Sequence, residues 1–373
     1  MTAAVATANA AGGNALNGVV YVYRKINSSA PWRFEVRLMP SLFRASSSQP
    51  YTMSNSLSVN ADGSLIAFGR PEGIGGQSFN GAVYLFRRNG TTWTQEKRLG
   101  GGPANDNFGQ YVDLDDSGNT LAIWHRANST AGYGVAEIYN RTSAGWLPTA
   151  TLPVPAAAVG NTNCESQALS GDGKTLVRTC SIGGYPRVLV HNAPGWAESA
   201  RINAGNNEDI DTNFDGTLFV ARRGLAFADV YRLQQNVWSP DSGSPLDFDT
   251  NLTHSSPLFT SIAMSRDGKF IAAGDAEDDH GTVGPQYPPI PSAGTEALGS
   301  VYVWERKSVG WRLRRVMKPS VAGNTNYGNT VGISGNGFNL IVGAVDDLSG
   351  ATGMHGDPAD TSTPQNRGAA WLY

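Results

Sequence analysis

The chain has 373 residues, with 28 basic and 31 acidic side chains and a formal net charge of −3. This balance argues against nucleic-acid binding, because such proteins carry a basic patch or stripe and the basic runs here are short pairs such as Arg314-Arg315. No apolar run approaches the roughly 18 residues that a bilayer-spanning helix needs, so membrane insertion is not expected. The 45 glycines and 40% hydrophobic residues indicate many short strands around a packed core.

One block of sequence recurs along the chain, and its best-preserved copy runs from residue 57 to 99. An alternating strand at 57–59 leads through a turn at 61–63 to an apolar strand at 65–69. A third strand follows at 81–86, and Trp93 opens a fourth. Such a block cannot bury both of its faces alone, so neighbouring copies must stack against each other.

The turn and the tryptophan each occur six times. The turns end at Gly63, Gly118, Gly173, Gly216, Gly268 and Gly337, and the tryptophans are Trp32, Trp93, Trp146, Trp196, Trp238 and Trp311. The fixed place of each tryptophan predicts packing between blades, with the indole N–H donating to a loop carbonyl.

The third strand occurs seven times, because the first repeat begins at its second strand and the last one stops after its third. The repeats span residues 1–38, 51–99, 108–152, 163–202, 206–246, 258–317 and 327–373. This pattern predicts a single all-β domain, a β-propeller of seven four-stranded antiparallel blades with incomplete end blades. A six-bladed ring is the alternative, but it leaves the strand at 19–23 redundant.

The two cysteines flank the third turn. Read as a three-residue loop at 171–173, that turn pairs Ser170 with Lys174 and places Cys164 opposite Cys180. Directly paired residues lie within the distance range of a disulfide, so we predict one here, which favours an oxidising compartment. The alternative is two unrelated buried thiols.

The repeat resembles the FG-GAP repeat of integrin-like β-propellers. The namesake dipeptide stands at Phe108-Gly109 and, as Tyr-Gly, at Tyr327-Gly328. The resemblance implies adhesion, ligand recognition or scaffolding outside the cell, without catalysis. Integrin-type repeats often hold calcium in the loop between strands 1 and 2, which needs several carboxylates. The corresponding turns here are too short, so we expect their aspartates to be hairpin residues.

Two long connections, at 275–299 and 344–367, are expected to carry function on one face of the propeller. Together with the connection that follows Ile123 they supply the candidate binding residues, which are Trp124, His125, Tyr133, His280, Tyr287 and His355. An acidic stretch supplies a candidate calcium site, formed by Asp275, Glu277, Asp278 and Asp279. A solvated acidic loop is the alternative reading of that stretch.

Catalytic machinery is not apparent in the sequence. Five histidines are scattered among the predicted loops, and no nucleophile–base pair can be assembled from them. No glycine-rich phosphate loop opens a helix, so we predict that the protein is not an enzyme. Five sequons make Asn27, Asn89, Asn128, Asn140 and Asn251 candidate glycosylation sites, a number close to that expected by chance.

The sequence therefore predicts a non-enzymatic recognition, adhesion or assembly module on an extracellular or particle surface. Its loops on one face would bind a protein or glycan partner, and the domain would belong to a larger polypeptide or assembly. One alternative is a glycan-binding lectin, and another is a purely structural subunit. Residues 1–6 lack the basic segment and apolar core of a clear signal peptide.

Overall fold

The computed structural model contains 27 β-strands in the part of the chain that it describes. That part comprises residues 1–7, 19–40, 56–70, 81–100, 106–125, 134–153, 163–182, 185–203, 209–223, 227–247, 259–278, 298–320, 326–345 and 368–373. These residues form seven antiparallel sheets and no helix. Accordingly, no helix among them is long and apolar enough to cross a membrane.

The chain divides into two compact units, one of Met1–Tyr185 with Val190–Ser199 and one of Pro186–Leu189 with Ala200–Tyr373. Blades 1 to 4 lie mainly in the first unit. Their strands are β1 (Thr2–Thr7), β2 (Val19–Arg24) and β3 (Arg33–Leu38) in blade 1; β4 (Leu57–Val59), β5 (Leu65–Arg70), β6 (Ala82–Asn89) and β7 (Thr92–Gly100) in blade 2; β8 (Tyr111–Leu114), β9 (Thr120–His125), β10 (Val135–Thr142) and β11 (Gly145–Leu152) in blade 3; and β12 (Asn163–Leu169), β13 (Thr175–Ile182), β14 (Tyr185–Asn192) and β15 (Ala197–Ile202) in blade 4.

Blades 5 to 7 lie in the second unit. Their strands are β16 (Ile210–Thr212), β17 (Leu218–Arg223), β18 (Phe227–Gln234), β19 (Val237–Pro240) and β20 (Leu246–Asp247) in blade 5; β21 (Phe259–Met264), β22 (Phe270–Asp275), β23 (Ser300–Lys307) and β24 (Gly310–Met317) in blade 6; and β25 (Tyr327–Ile333), β26 (Leu340–Ala344) and β27 (Ala369–Leu372) in blade 7. In blade 5, β19 and β20 both pair with β18 and together occupy the place of the fourth strand.

These sheets are the seven blades of a β-propeller, with three strands in each end blade, and this confirms the predicted architecture. The six-bladed alternative is wrong, because β2 belongs to a blade of its own with β1 and β3.

Apolar side chains from neighbouring blades form the core of each unit. Between blades 2 and 3, Leu65 and Leu85 pack in one cluster with Leu121, Ile123 and Tyr139. Removing one such side chain from water stabilises the fold by roughly 1.5–3 kcal/mol. The second strand of these blades is buried on both faces because each of them has a blade on either side.

The six glycine turns share one geometry, which differs from the predicted three-residue loop. In blade 4 the amide of Ser170 donates to the carbonyl of Thr175 at 2.9 Å, and the amide of Gly173 donates to the carbonyl of Ser170 at 2.9 Å. Ser170 therefore faces Thr175 rather than Lys174, so the loop contains four residues. Gly173 has a φ of 69°, the left-handed region that favours glycine.

The aspartate in the turn acts as a hairpin residue, as expected. In blade 4 the carboxylate of Asp172 accepts hydrogen bonds from the amide of Lys174 at 3.0 Å and from the hydroxyl of Ser170 at 2.7 Å.

Neighbouring turns are also joined through their backbones. The amide of Ala61 donates to the carbonyl of Asp116 at 3.1 Å, and the amide of Asp116 donates to the carbonyl of Gly171 at 2.8 Å.

The tryptophans that open the fourth strands pack between blades, but the predicted acceptor of their indole N–H is wrong in three blades. The acceptor there is a carboxylate of the preceding blade, not a loop carbonyl. Glu35 and Glu96 lie on the outermost strand of their blades, and Asp241 lies just after β19. The donor–acceptor distances are 3.2 Å for Trp93 and Glu35, 3.0 Å for Trp146 and Glu96, and 3.0 Å for Trp311 and Asp241.

Candidate functional site

Two of the predicted binding residues lie at the end of β9 in blade 3. Trp124 and His125 close β9, just before the connection at 126–134. Both side chains are buried, with 4% and 8% of their surface exposed. These two side chains therefore pack inside the protein rather than face solvent. The other four, Tyr133, His280, Tyr287 and His355, lie outside the described residues.

His125 lies between two carboxylates. Its Nδ1 atom is 2.8 Å from Oδ1 of Asp106, and its Nε2 atom is 3.5 Å from Oε1 of Glu137. Burial alone would lower the pKa of His125, but the hydrogen bonds and charges of these two carboxylates raise it to about 9. The imidazole is therefore a cation at neutral pH, which makes it an anchor for acidic groups and a poor general base.

The network around His125 extends to an aromatic residue. The hydroxyl of Tyr139 donates to Oε2 of Glu137 at 2.7 Å. The hydrogen bond from His125 is the main reason why the pKa of Glu137 is lowered, against the opposing effect of burial. The ring of Phe108 lies 5.5 Å from the imidazole. These contacts join the start of blade 3 to β9 and β10 in one polar cluster.

Trp124 links blade 3 to blade 4. Its indole nitrogen donates to the carbonyl of Cys164 at 2.9 Å, and its ring meets that of Tyr111 edge to face at 5.9 Å. An indole that is buried and has its N–H satisfied by backbone is a packing residue. This use of Trp124 leaves no free face on which a sugar ring could stack.

The predicted disulfide is present between Cys164 on β12 and Cys180 on β13. Their Cα atoms are 3.9 Å apart, and both side chains are fully buried. The bridge joins the beginning of β12, which follows residues 154–162, to the end of β13.

Arg178 ties the same two blades together from the middle of β13. Its Nη2 atom donates to the carbonyl of Gly134 at 2.7 Å, and its Nη1 atom donates to that of Leu152 at 3.2 Å. Gly134 stands just before β10, and Leu152 ends β11. Arg178, Trp124 and the disulfide therefore brace the bases of the connections at 126–134 and 153–162, and we call this set the braced rim.

The acidic stretch of blade 6 is held by an internal ion pair. Oδ2 of Asp278 lies 2.8 Å from Nζ of Lys318 and accepts a hydrogen bond from the hydroxyl of Tyr302 at 3.1 Å. Asp275 is fully buried and accepts a hydrogen bond from the amide of Glu277. Among the described residues, no three His, Cys, Asp or Glu side chains group closely enough to hold a metal ion. Asp279 lies outside them, and calcium binding stays a prediction.

The candidate glycosylation sites differ in their surroundings. Asn27 and Asn89 are exposed, whereas Asn140 is half-buried and its amide nitrogen donates to the hydroxyl of Thr120 at 3.3 Å. A glycan on Asn140 would replace that hydrogen bond. Asn128 and Asn251 lie outside the described residues.

Sequence reasoning missed Asp106, Glu137 and Arg178. Asp106 and Glu137 reach His125 from other segments of the chain, a contact that spacing along the sequence does not reveal. Arg178 left a readable signal, because it is a charged residue in the middle of a strand that is otherwise apolar in the repeat.

Solved structures share this fold. The chain is similar to the Cps50 (Swd1) β-propeller domain of Myceliophteria thermophila, with 10% identity, a TM-score of 0.58, and coverage of 92% of this chain and 96% of that one. It is also similar to a putative 6-phosphogluconolactonase of Bacteroides fragilis, with 13% identity, a TM-score of 0.56, and coverage of 92% and 88%. A periplasmic gluconolactonase of Pseudomonas aeruginosa has 15% identity, a TM-score of 0.55, and coverage of 93% of each chain.

At these identities the likeness shows the fold alone, and one fold hosts unrelated functions. No protein-family model matches the chain, and no curated protein matches its sequence. The resemblance to FG-GAP repeats therefore stays a prediction, while the β-propeller itself is shown.

Proposed function

We propose that the protein is a non-enzymatic binding or assembly module whose partner contacts lie on the connections that begin at the braced rim. The single observation that carries this proposal is the bracing itself. An indole, a guanidinium and a disulfide, all buried, fix the bases of two connections in adjacent blades. Binding loops on a rigid scaffold lose less conformational entropy when they meet a partner.

The chemistry of His125, next to Trp124 of the rim, supports binding rather than catalysis. His125 is held as a cation between Asp106 and Glu137, so it has no free lone pair with which to take a proton from a substrate. A neutral, solvent-reachable histidine would serve a general base better. The gluconolactonases that share the fold make lactone hydrolysis the activity to test against this proposal.

A protein partner is favoured over a glycan. Lectins stack sugars on exposed aromatic faces, and Trp124 is 4% exposed with its N–H already bonded. The disulfide supports an oxidising compartment, and hence an extracellular or particle surface. A purely structural subunit is the second candidate, and it would use the outer strands of the blades rather than the rim.

Site-specific photo-crosslinking tests the proposal. A photo-crosslinking amino acid at position 133, in the connection at 126–134, is expected to capture one defined protein from the extracellular medium of the source organism. The matched control is position 117, on the exposed turn at the other end of the same blade. Equal capture from both positions, or capture only from the outer strands, would contradict the proposal. Turnover of gluconolactone or 6-phosphogluconolactone would contradict its non-enzymatic part.

A further inference from the structure

Blade 4 carries a polar pair where the other blades are apolar. Gln167 on β12 faces Arg178 on β13 in the strand pairing. The pairs at the same place in the repeat are Leu57–Phe68, Val112–Ile123, Ile210–Ala221, Ile262–Ala273 and Val331–Val342. Two polar residues thus replace two apolar ones at a single core position, and nothing in the turn or strand geometry requires the exchange.

A third polar side chain, His191, stands where other blades place an aromatic ring. The amide of Ala193 donates to the carbonyl of Lys174, as the amide of Arg141 does to that of Asn119 in blade 3. This equivalence puts His191 in the position of Tyr139. The matching residues of blades 2, 5 and 6 are Phe86, Tyr231 and Trp304.

The three side chains are almost wholly shielded from solvent. Arg178 is 0% exposed, Gln167 is 4% exposed and His191 is 5% exposed. Directly opposed residues of an antiparallel pair share one face of the sheet, so Gln167 lies on the same face as Arg178. That face packs on blade 3, because Arg178 donates to the carbonyls of Gly134 and Leu152 there.

Much of the hydrogen-bonding capacity of this cluster is unused. The Nε atom of Arg178 and both amide atoms of Gln167 are buried without a partner at hydrogen-bonding geometry. The imidazole of His191 lies near Arg178 and interacts with the backbone of Trp196. Buried polar groups in folded proteins nearly always have partners. The Nε–H of Arg178 and the amide N–H of Gln167 are both donors, so they indicate a small ligand that accepts hydrogen bonds.

The charge of the cluster selects the kind of ligand. Burial lowers the pKa of Arg178 to about 10, which still leaves it charged at neutral pH, and its hydrogen bonds go to carbonyls rather than to a carboxylate. Burial and the nearby charge of Arg178 lower the pKa of His191 to about 4, although Glu198 and the backbone of Trp196 oppose this to a lesser extent. His191 is then neutral, and the cluster carries the positive charge of Arg178, which forms no ion pair with a carboxylate among the described residues.

We propose that Gln167, Arg178 and His191 bind a small inorganic anion of the size of chloride between blades 3 and 4. The guanidinium Nε–H and the amide N–H of Gln167 are the donors, and the imidazole of His191 lines the site. The anion neutralises the buried guanidinium, whose other nitrogens hold Gly134 and Leu152. Because Arg178 belongs to the braced rim, binding of the anion makes the rim more rigid.

Thermal unfolding in two salts tests the proposal. At equal ionic strength, sodium chloride is expected to raise Tm by about 2–4 °C above sodium methanesulfonate, whose anion is larger than chloride, and the rise should saturate with concentration. The variant Q167V/R178I copies the Val112–Ile123 pair of blade 3 and is expected to fold without this difference. Should it fail to fold, Q167L copies Leu57 of blade 2 and should reduce the chloride effect.

A heavier halide locates the ion directly. Crystals of the whole chain soaked in sodium bromide are expected to show an anomalous peak within hydrogen-bonding distance of Nε of Arg178, and crystals of Q167V/R178I are expected to lack it. Ordered water alone at this place would overturn the proposal. So would an equal Tm of the wild type in both salts, or a chloride effect that survives in Q167V/R178I.

Discussion

The indole nitrogen of Trp146 lies 3.0 Å from Oε1 of Glu96, which belongs to the fourth strand of the preceding blade. The Nε atom of Arg141 donates to the same oxygen at 3.0 Å, and Arg87 pairs with the other oxygen. One carboxylate therefore joins its own blade to the next through two cations and an indole. The same arrangement recurs for Glu35 with Arg88 and Trp93, and for Asp241 with Arg306 and Trp311.

Blades 3 and 4 lack this acidic residue and use a neutral pair instead. The hydroxyl of Thr149 donates to Oδ1 of Asn140 at 2.6 Å, and Ser199 donates to Asn192 in the same way. The exchange of an Arg–carboxylate pair for an Asn–hydroxyl pair keeps each donor matched to an acceptor. The repeat therefore always pairs a hydrogen-bond donor with an acceptor at this position, but the two side chains need not be charged.

Replacing Glu96 with Gln is expected to lower the free energy of unfolding by about 1–3 kcal/mol, because Arg87 and Arg141 lose their anion in a half-buried contact. Chemical denaturation at pH 7 measures the loss. Glu305→Gln is the control, because its partners Lys307 and Arg314 are about half exposed and such surface pairs contribute under about 1 kcal/mol. Equal losses in the two variants would contradict the role given to Glu96.

Removing the bridge between Cys164 and Cys180 is expected to destabilise the protein by about 2–4 kcal/mol, since the bridge restricts the unfolded chain. Urea unfolding with and without a thiol reductant gives the value. The double variant C164S/C180S should match the reduced wild type and should not respond to reductant. A wild type whose stability is the same in both conditions would refute the expectation.

The stability that His125 contributes should fall as the solution becomes alkaline. Its pKa in the folded protein is about 9 and its ordinary value is 6.5, so the stabilisation is complete below pH 6.5 and is lost as the pH rises through 9. The free energy of unfolding of the wild type should therefore decline by about 1–3 kcal/mol between pH 7 and 10. In H125Q this decline should be absent, and parallel curves for the two proteins would count against the ion pairs.

Asp209 should titrate near neutrality. Burial, helped by the charge of Asp211, raises its pKa to about 7 against the hydrogen bonds that it accepts from the amides of Ile262 and Ile210. Its folded-state pKa lies above the ordinary 3.8, so the stabilisation that comes from the neutral form is lost between pH 4 and 7 as the pH rises. Carbon-detected NMR should find the midpoint near 7 in the wild type and lower in D211N. A wild-type midpoint below pH 5 would show that the hydrogen bonds from the amides of Ile262 and Ile210 outweigh the effect of burial.

The repeat in the sequence was enough to predict the blades, because turns, strand alternation and tryptophans are local signals. The disulfide shows where local reasoning misleads. Counting outward from a three-residue loop paired Cys164 with Cys180, whereas the observed four-residue loop shifts the register by one. An irregularity between Cys164 and Ser166 shifts it back, so the correct pair follows from two compensating errors.

The candidate site was less accessible to sequence reasoning. Trp124 and His125 were singled out for their chemistry, yet their partners Cys164 and Asp106 come from other parts of the chain. Contacts of this kind depend on how blades stack, which a single sequence does not express. Arg178 is the exception, since a charge inside an apolar strand marks an unusual core position in the sequence itself.

The backbone hydrogen bonds that link the turns of blades 2, 3 and 4 restrict where this protein can change during evolution. A residue inserted beside Asp116 would move its amide away from Gly171 and its carbonyl away from Ala61, so one insertion would disturb three blades. Inserted residues and grafted loops are therefore disfavoured at these turns, which makes them a poor place to engineer recognition.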